Sequence, residues 1–161
     1  MISKKDKYHN WLRGILNSFS NDNSKKLIKN NNCIKLSSIK SGSKNMMEYR
    51  PDYSFKFKTG KKSFEYIILE FLDTESYEGI ISDIVECACV KNCRILLFLS
   101  LNPEKHKESE NITNVICDFL DEINGENVLD VVNLHVPFEM DENKIKIEIF
   151  HEINKRIKLP K

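Results

Sequence analysis

Arg94–Leu101, RILLFLSL, is the stretch that most limits how the chain can fold. Its apolar run is too short for a typical helix and lacks the alternation of a strand with one wet face. It reads as a strand buried on both faces, and such strands lie in sheets covered by helices on both sides. Just upstream, Tyr77, Ile80, Ile81, Ile84, Val85 and Ala88 recur at helical spacing and predict a helix over 76–91. Asn92 tolerates the left-handed conformation that ends such a helix. Before that, the runs YSFKFK and SFEYIILEFL flank Thr59-Gly60-Lys61-Lys62, which predicts a β-hairpin with strands near 52–58 and 63–72. A hairpin, a helix and a buried strand in this order imply a mixed sheet in which 94–100 is central.

The flanking segments extend that pattern. Ser3 followed by Asp6 suggests a capping box, and Tyr8, Trp11, Leu12, Ile15, Leu16 and Phe19 trace an amphipathic helix over about 4–19. The polar stretch NDNSKKLIKNNN reads as a loop, Cys33–Ile39 as a short strand, and SGSKNM as a turn. Beyond the buried strand, NPEKHKESE reads as a polar loop. Ile112, Val115, Ile116, Phe119, Leu120 and Ile123 then mark another helix, and VLDVVNLHV at 128–136 a strand. Ile145, Ile149, Ile153 and Ile157 mark a last helix, with acids at its start and bases at its end as the helix dipole prefers. The predicted order is α-β-β-β-α-β-α-β-α, an α/β fold with flanking helices on a mixed sheet. At 161 residues it is expected to form one domain over 1–161.

Hydrophobic residues make up 40% of the chain and charged residues 30%, and no apolar run approaches a membrane span, so no membrane partner is expected. MISKKDKYHN lacks the apolar stretch of a secretory signal, which points to the cytoplasm. The five cysteines are an odd set without paired CxxC motifs, as expected of reduced thiols. Cys87, Cys89 and Cys93 read as small hydrophobes, because a closed zinc site needs a fourth ligand. The net charge of +1 conceals a polarity: residues 1–62 hold 15 Lys/Arg and 4 Asp/Glu, hence +11, and 63–161 hold 10 and 20, hence −10. A basic half is a footprint for a polyanion, unless the fold interleaves the charges.

Arg50-Pro51-Asp52 opens the first hairpin strand, and Glu70 lies near the end of the second, so the hairpin would bring Asp52 across from Glu70. Two adjacent carboxylates repel unless a cation sits between them, and Mg²⁺ prefers oxygen ligands of this sort. The plainer alternatives are that Pro51-Asp52 simply starts a strand, and that Glu70 pairs with a lysine or Arg50. Asp73 and Glu75 are assigned to the start of the following helix. His9, His106, His135 and His151 show no metal-binding spacing. Tyr8, Trp11 and Phe19 read as core rather than a base-stacking platform.

This order, with RPD opening one strand and an acid near the end of the next, resembles the PD-(D/E)XK nuclease superfamily. The family's shared core is αβββαβ, and the resemblance covers roughly residues 4–101. It implies that Asp52 and Glu70 bind one or two Mg²⁺ and that water attacks a phosphodiester of DNA. Leu72 stands where the family carries a lysine, and the first helix has no glutamate where members often carry one. Residues 70 and 72 share a strand face, so Leu72 brings no charge to the site. Lys56, on the strand of Asp52 and an even number of residues away, is the candidate substitute. The other reading is a catalytically inactive relative that binds nucleic acid or a protein partner, and a homodimer is compatible with either.

Overall fold

The computed structural model describes residues 3–23, 26–36, 47–125 and 127–157. Its elements run α1 (Lys4–Asp22), β1 (Leu27–Lys29), β2 (Ile34–Leu36), β3 (Met47–Tyr49), β4 (Tyr53–Lys58), β5 (Phe64–Leu72), α2 (Tyr77–Ala88), β6 (Cys93–Ser100), α3 (Pro103–Asn124), β7 (Asp130–His135) and α4 (Glu142–Arg156). The main sheet has the order β1-β4-β5-β6-β7. β1, β4 and β5 pair antiparallel, whereas β5-β6 and β6-β7 are parallel. β2 and β3 form a separate antiparallel ribbon.

The expected α/β architecture is therefore present, as a mixed sheet with helices on both faces. β6 lies between two partners, and Ile95 to Leu99 are fully buried. Alternation along β5 divides the core. Ile67, Leu69 and Phe71 point toward α1 and α4, where they meet Leu12, Leu16, Ile145 and Ile149. Ile68 and Leu72 point toward α2 and α3, among Ile80, Ile84 and Ile112. Burying such side chains stabilises the fold by roughly 1.5–3 kcal/mol each.

The helix starts follow capping chemistry. Ser3 Oγ accepts from Asp6 N at 3.1 Å, and Asp141 Oδ2 accepts from Lys144 N at 3.0 Å. Lys155 and Arg156 close α4 at its negative end.

Several expectations are corrected. NPEKHKESE is not a loop: Asn102 caps α3, Pro103 occupies its first turn, and Glu104, Lys107 and Glu110 are exposed while Ser109 is buried. Within NDNSKKLIKNNN, α1 continues to Asp22, and Leu27–Lys29 forms an edge strand in which only Leu27 is buried. α2 stops at Ala88 with Cys89 at its cap, so Cys93 begins a strand and does not share a helical face with Cys89. Cys87 is buried, Cys93 half-buried and Cys89 exposed, so the small-hydrophobe reading fails for Cys89; all five thiols are free. The α3 stripe is wider than its contact with the sheet: Ile112 is buried, while Val115, Phe119 and Ile123 face outward. The predicted strand at 33–39 is seen at Ile34–Leu36, with Cys33 outside it; residues 37–39 and the SGSKNM turn lie outside the described residues. Among the described residues, no helix is long and apolar enough to cross a membrane.

Candidate functional site

The β4–β5 hairpin positions the two acids. Tyr53 pairs with Leu69 and Ser54 with Ile68, so continuing the register by one residue sets Asp52 opposite Glu70. Asp52 Oδ2 accepts a hydrogen bond from Phe71 N at 2.8 Å, which anchors the carboxylate to the end of β5. Glu70 is only 8% exposed and shares its strand face with Ile68 and Leu72. Its partner is the Tyr49 hydroxyl, which donates to Oε1, rather than a lysine or Arg50. Tyr49 is delivered by β3, an element without a clear signature in the sequence.

A third acid joins the pair. Asp83 lies on α2 between the buried Ile80 and Ile84 and faces the same end of the sheet. Burial first, then the charges of Asp52 and Asp83, hold the Glu70 carboxyl well above its usual range, with the Tyr49 hydrogen bond opposing that rise. Burial and then the charge of Asp52 push Asp83 up to about 7. Among the described residues, neither Glu70 nor Asp83 has a lysine or arginine within ion-pair distance. The arrangement is negative charge gathered without a protein counter-charge, which fits the oxygen-donor chemistry of a hard divalent ion.

Asp52 also lines an open pocket of about 190 Å³ together with Arg13, Lys29 and Arg50. These cations come from α1, β1 and the loop before β4, all within the basic first part of the chain. The hairpin lysines Lys58, Lys61 and Lys62 lie at the turn, the opposite end of β4 from Asp52. Lys56 is likewise not brought to the carboxylates. It pairs across the hairpin with Tyr66, and its ammonium lies 4.7 Å from the Phe64 ring centre. Four residues of strand put its Cα roughly 13 Å from that of Asp52. Leu72 is fully buried among Ile80, Ile84 and Phe98.

Several polar groups at this end of the sheet escaped sequence reading. His9, 6% exposed, places Nδ1 3.8 Å from Asp52 Oδ1 and packs edge-on against Phe71. One nitrogen of His9 and one oxygen each from Asp73 and Glu75 lie within 4.8 Å of one another, a grouping able to hold a metal. Asp73 and Glu75 bond within the loop before α2, where Asp73 Oδ1 accepts from Thr74 N and Glu75 Oε2 from Asp73 N, while Ser76 caps the helix and Glu78 is the acid in its first turn. The signal for His9 and Asp83 was their position inside apolar helical stripes, where a polar residue needs a partner. Ser100 Oγ, His106 Nδ1 and His135 Nε2 are also buried without a hydrogen-bond partner.

A larger cavity, about 440 Å³, is elsewhere, beside Glu65, Arg94, Asp130 and Arg156 at the amino ends of the parallel strands. Its charges pair: Glu65 with Arg94 at 3.5 Å and Asp130 with Arg156 at 4.0 Å. The carboxyl ends of strands are where open α/β sheets place ligands, and there, among the described residues, Glu70 and Asp83 have no lysine or arginine partner. No family model, curated protein or solved structure matches the chain.

Proposed function

We propose that the chain is a PD-(D/E)XK-like domain whose Asp52, Glu70 and Asp83 hold a divalent ion and act on phosphodiester bonds of DNA. The observation that carries this reading is the double role of Asp52. It opposes the charges of Glu70 and Asp83 on one side and lines the Arg13-Lys29-Arg50 pocket on the other. A phosphate seated among those cations would lie against the carboxylate cluster. Mg²⁺ bound there would supply a Lewis acid for a phosphoryl oxygen and a more acidic bound water. The protein's part is positioning: Phe71 N fixes Asp52, the Tyr49 hydroxyl fixes Glu70, and Arg13, Lys29 and Arg50 hold the DNA backbone.

Calorimetric titration with Mg²⁺ tests the ion site. Binding that disappears in Asp52→Ala supports it, and a wild-type protein that binds neither Mg²⁺ nor Mn²⁺ sinks it. Cleavage of duplex DNA should require the ion and collapse in Asp52→Asn and Glu70→Gln. DNA binding should weaken steeply with salt, and neutralising Arg13 or Arg50 should make that dependence shallower by about one counterion each.

A specific observation favours a second reading, a non-catalytic domain of the same kind. Leu72 occupies the family's lysine position inside the apolar core, and Lys56 lies over aromatic rings away from the acids. Ion binding and salt-dependent DNA binding without cleavage of single- or double-stranded substrates would select this reading.

A further inference from the structure

We propose that His9, Asp73 and Glu75 form a separate divalent-cation site that takes a first-row transition ion through one imidazole nitrogen and two carboxylate oxygens. It stands independently of the nuclease reading, because it uses none of Asp52, Glu70 or Asp83 as a ligand.

The donors come from two separate parts of the chain. His9 is on α1, whereas Asp73 and Glu75 follow β5. Three atoms within 4.8 Å of one another have a common point within about 2.8 Å of each, so closing by less than about 1 Å reaches metal–ligand lengths of ~2.0–2.2 Å. Oxygen capacity remains on both acids, since one oxygen of Asp73 serves Thr74 and one of Glu75 serves the Asp73 amide.

The independent sign of a ligand is His9. It is 94% buried by the measure that leaves it 6% exposed, and its Nε2 has no hydrogen-bond partner. Its Nδ1, 3.8 Å from Asp52 Oδ1, is beyond hydrogen-bond range too. A buried imidazole nitrogen left without a partner is costly unless something binds it. Lys105 does not neutralise these acids: its Nζ donates to the Glu75 backbone carbonyl and pairs with Glu108. A metal ion would satisfy the imidazole nitrogen and both acids at once. Imidazole plus carboxylates suits manganese, iron or zinc better than magnesium, which prefers oxygen and water. Three protein ligands leave positions for water.

Mn²⁺ is the probe, added to two equivalents so that the Asp52–Glu70 cluster cannot absorb all of it. Pulsed electron paramagnetic resonance should detect coupling to one imidazole ¹⁴N. That coupling should vanish in His9→Gln and persist in Glu70→Gln, with far-ultraviolet circular dichroism checking that each variant is folded. Asp73→Asn and Glu75→Gln should each weaken the nitrogen-coupled ion at least roughly tenfold. No ¹⁴N coupling in the wild type, or coupling that survives His9→Gln, would overturn the proposal. Coupling lost in Glu70→Gln but kept in Asp73→Asn would also overturn it, by assigning His9 to the other carboxylates.

Discussion

The two ends of the sheet carry charge in opposite ways. At the amino ends of the parallel strands, Glu65 meets Arg94, Asp130 meets Arg156, and Arg156 also holds Glu152 at 2.8 Å. At the carboxyl ends, Asp52, Glu70 and Asp83 crowd together, and among the described residues His9, Ser100, His106 and His135 each leave a buried polar atom without a hydrogen bond, against Glu65 Oε2 at the amino ends. Paired surface charges explain themselves, because each ion offsets the other. Crowded like charges cost stability, and their place beside a basic pocket is the ground for the proposed ion site. The larger cavity is thus the less informative one; charge balance separates the two ends better than volume does.

The contrast can be broken hardest at Leu72. Leu72→Lys adds a cation to the unpaired end, but it places the stem and ammonium inside a fully buried apolar cluster. It should destabilise the fold by roughly 3–5 kcal/mol in urea denaturation. A neutral or stabilising result would mean that Glu70 captures the amine, and so that the family's lysine position is still open.

Next in size is the effect of the ion. At about 100 times its dissociation constant, Mg²⁺ should stabilise the native state by ~2.7 kcal/mol, read as a rise in Tm. The rise should be absent in Asp52→Ala and intact in Glu65→Gln at the other end. Equal losses in both variants would erase the distinction between the ends.

A smaller effect appears in the pH dependence without added metal. Glu70 and Asp83 have folded-state pKa values above their ordinary ones, so the unfolded chain releases their protons first. Their favourable contribution is complete below about pH 4 and declines as pH rises toward the folded values, near 7 for Asp83. Asp83→Asn should flatten that decline, by on the order of 1–2 kcal/mol at pH 8 after allowance for solvent screening. An unchanged pH profile would show that Asp83 does not share the field of Asp52.

The smallest effect belongs to the paired end. Arg94 is half exposed, so Arg94→Ala should cost about 0–1 kcal/mol and less at high salt. A larger, salt-independent loss would mark that pair as structural in a way its exposure does not suggest.

Much of this was legible in the chain. The hairpin register, the buried β6 and the cap at Ser3 follow from alternation, turn residues and local hydrogen bonding, all of which act over a few residues. Asp52 and Glu70 were found for the same reason, since one hairpin joins them. β1 escaped because a three-residue edge strand with one buried side chain has no period to detect. The start of α3 escaped because its polar solvent side looks like a loop until Asn102 and Pro103 are read as a cap.

By itself, the sequence determined the long strands and helices and which two acids face each other across a turn, because those outcomes rest on local geometry. Only the tertiary structure decided that Tyr49, Asp83 and His9 converge on the same end of the sheet. It also set Lys56 over Phe64 instead of beside the acids. Those contacts join residues from separate elements, and which of them meet depends on how helices pack across a twisted sheet, a choice that no short pattern encodes.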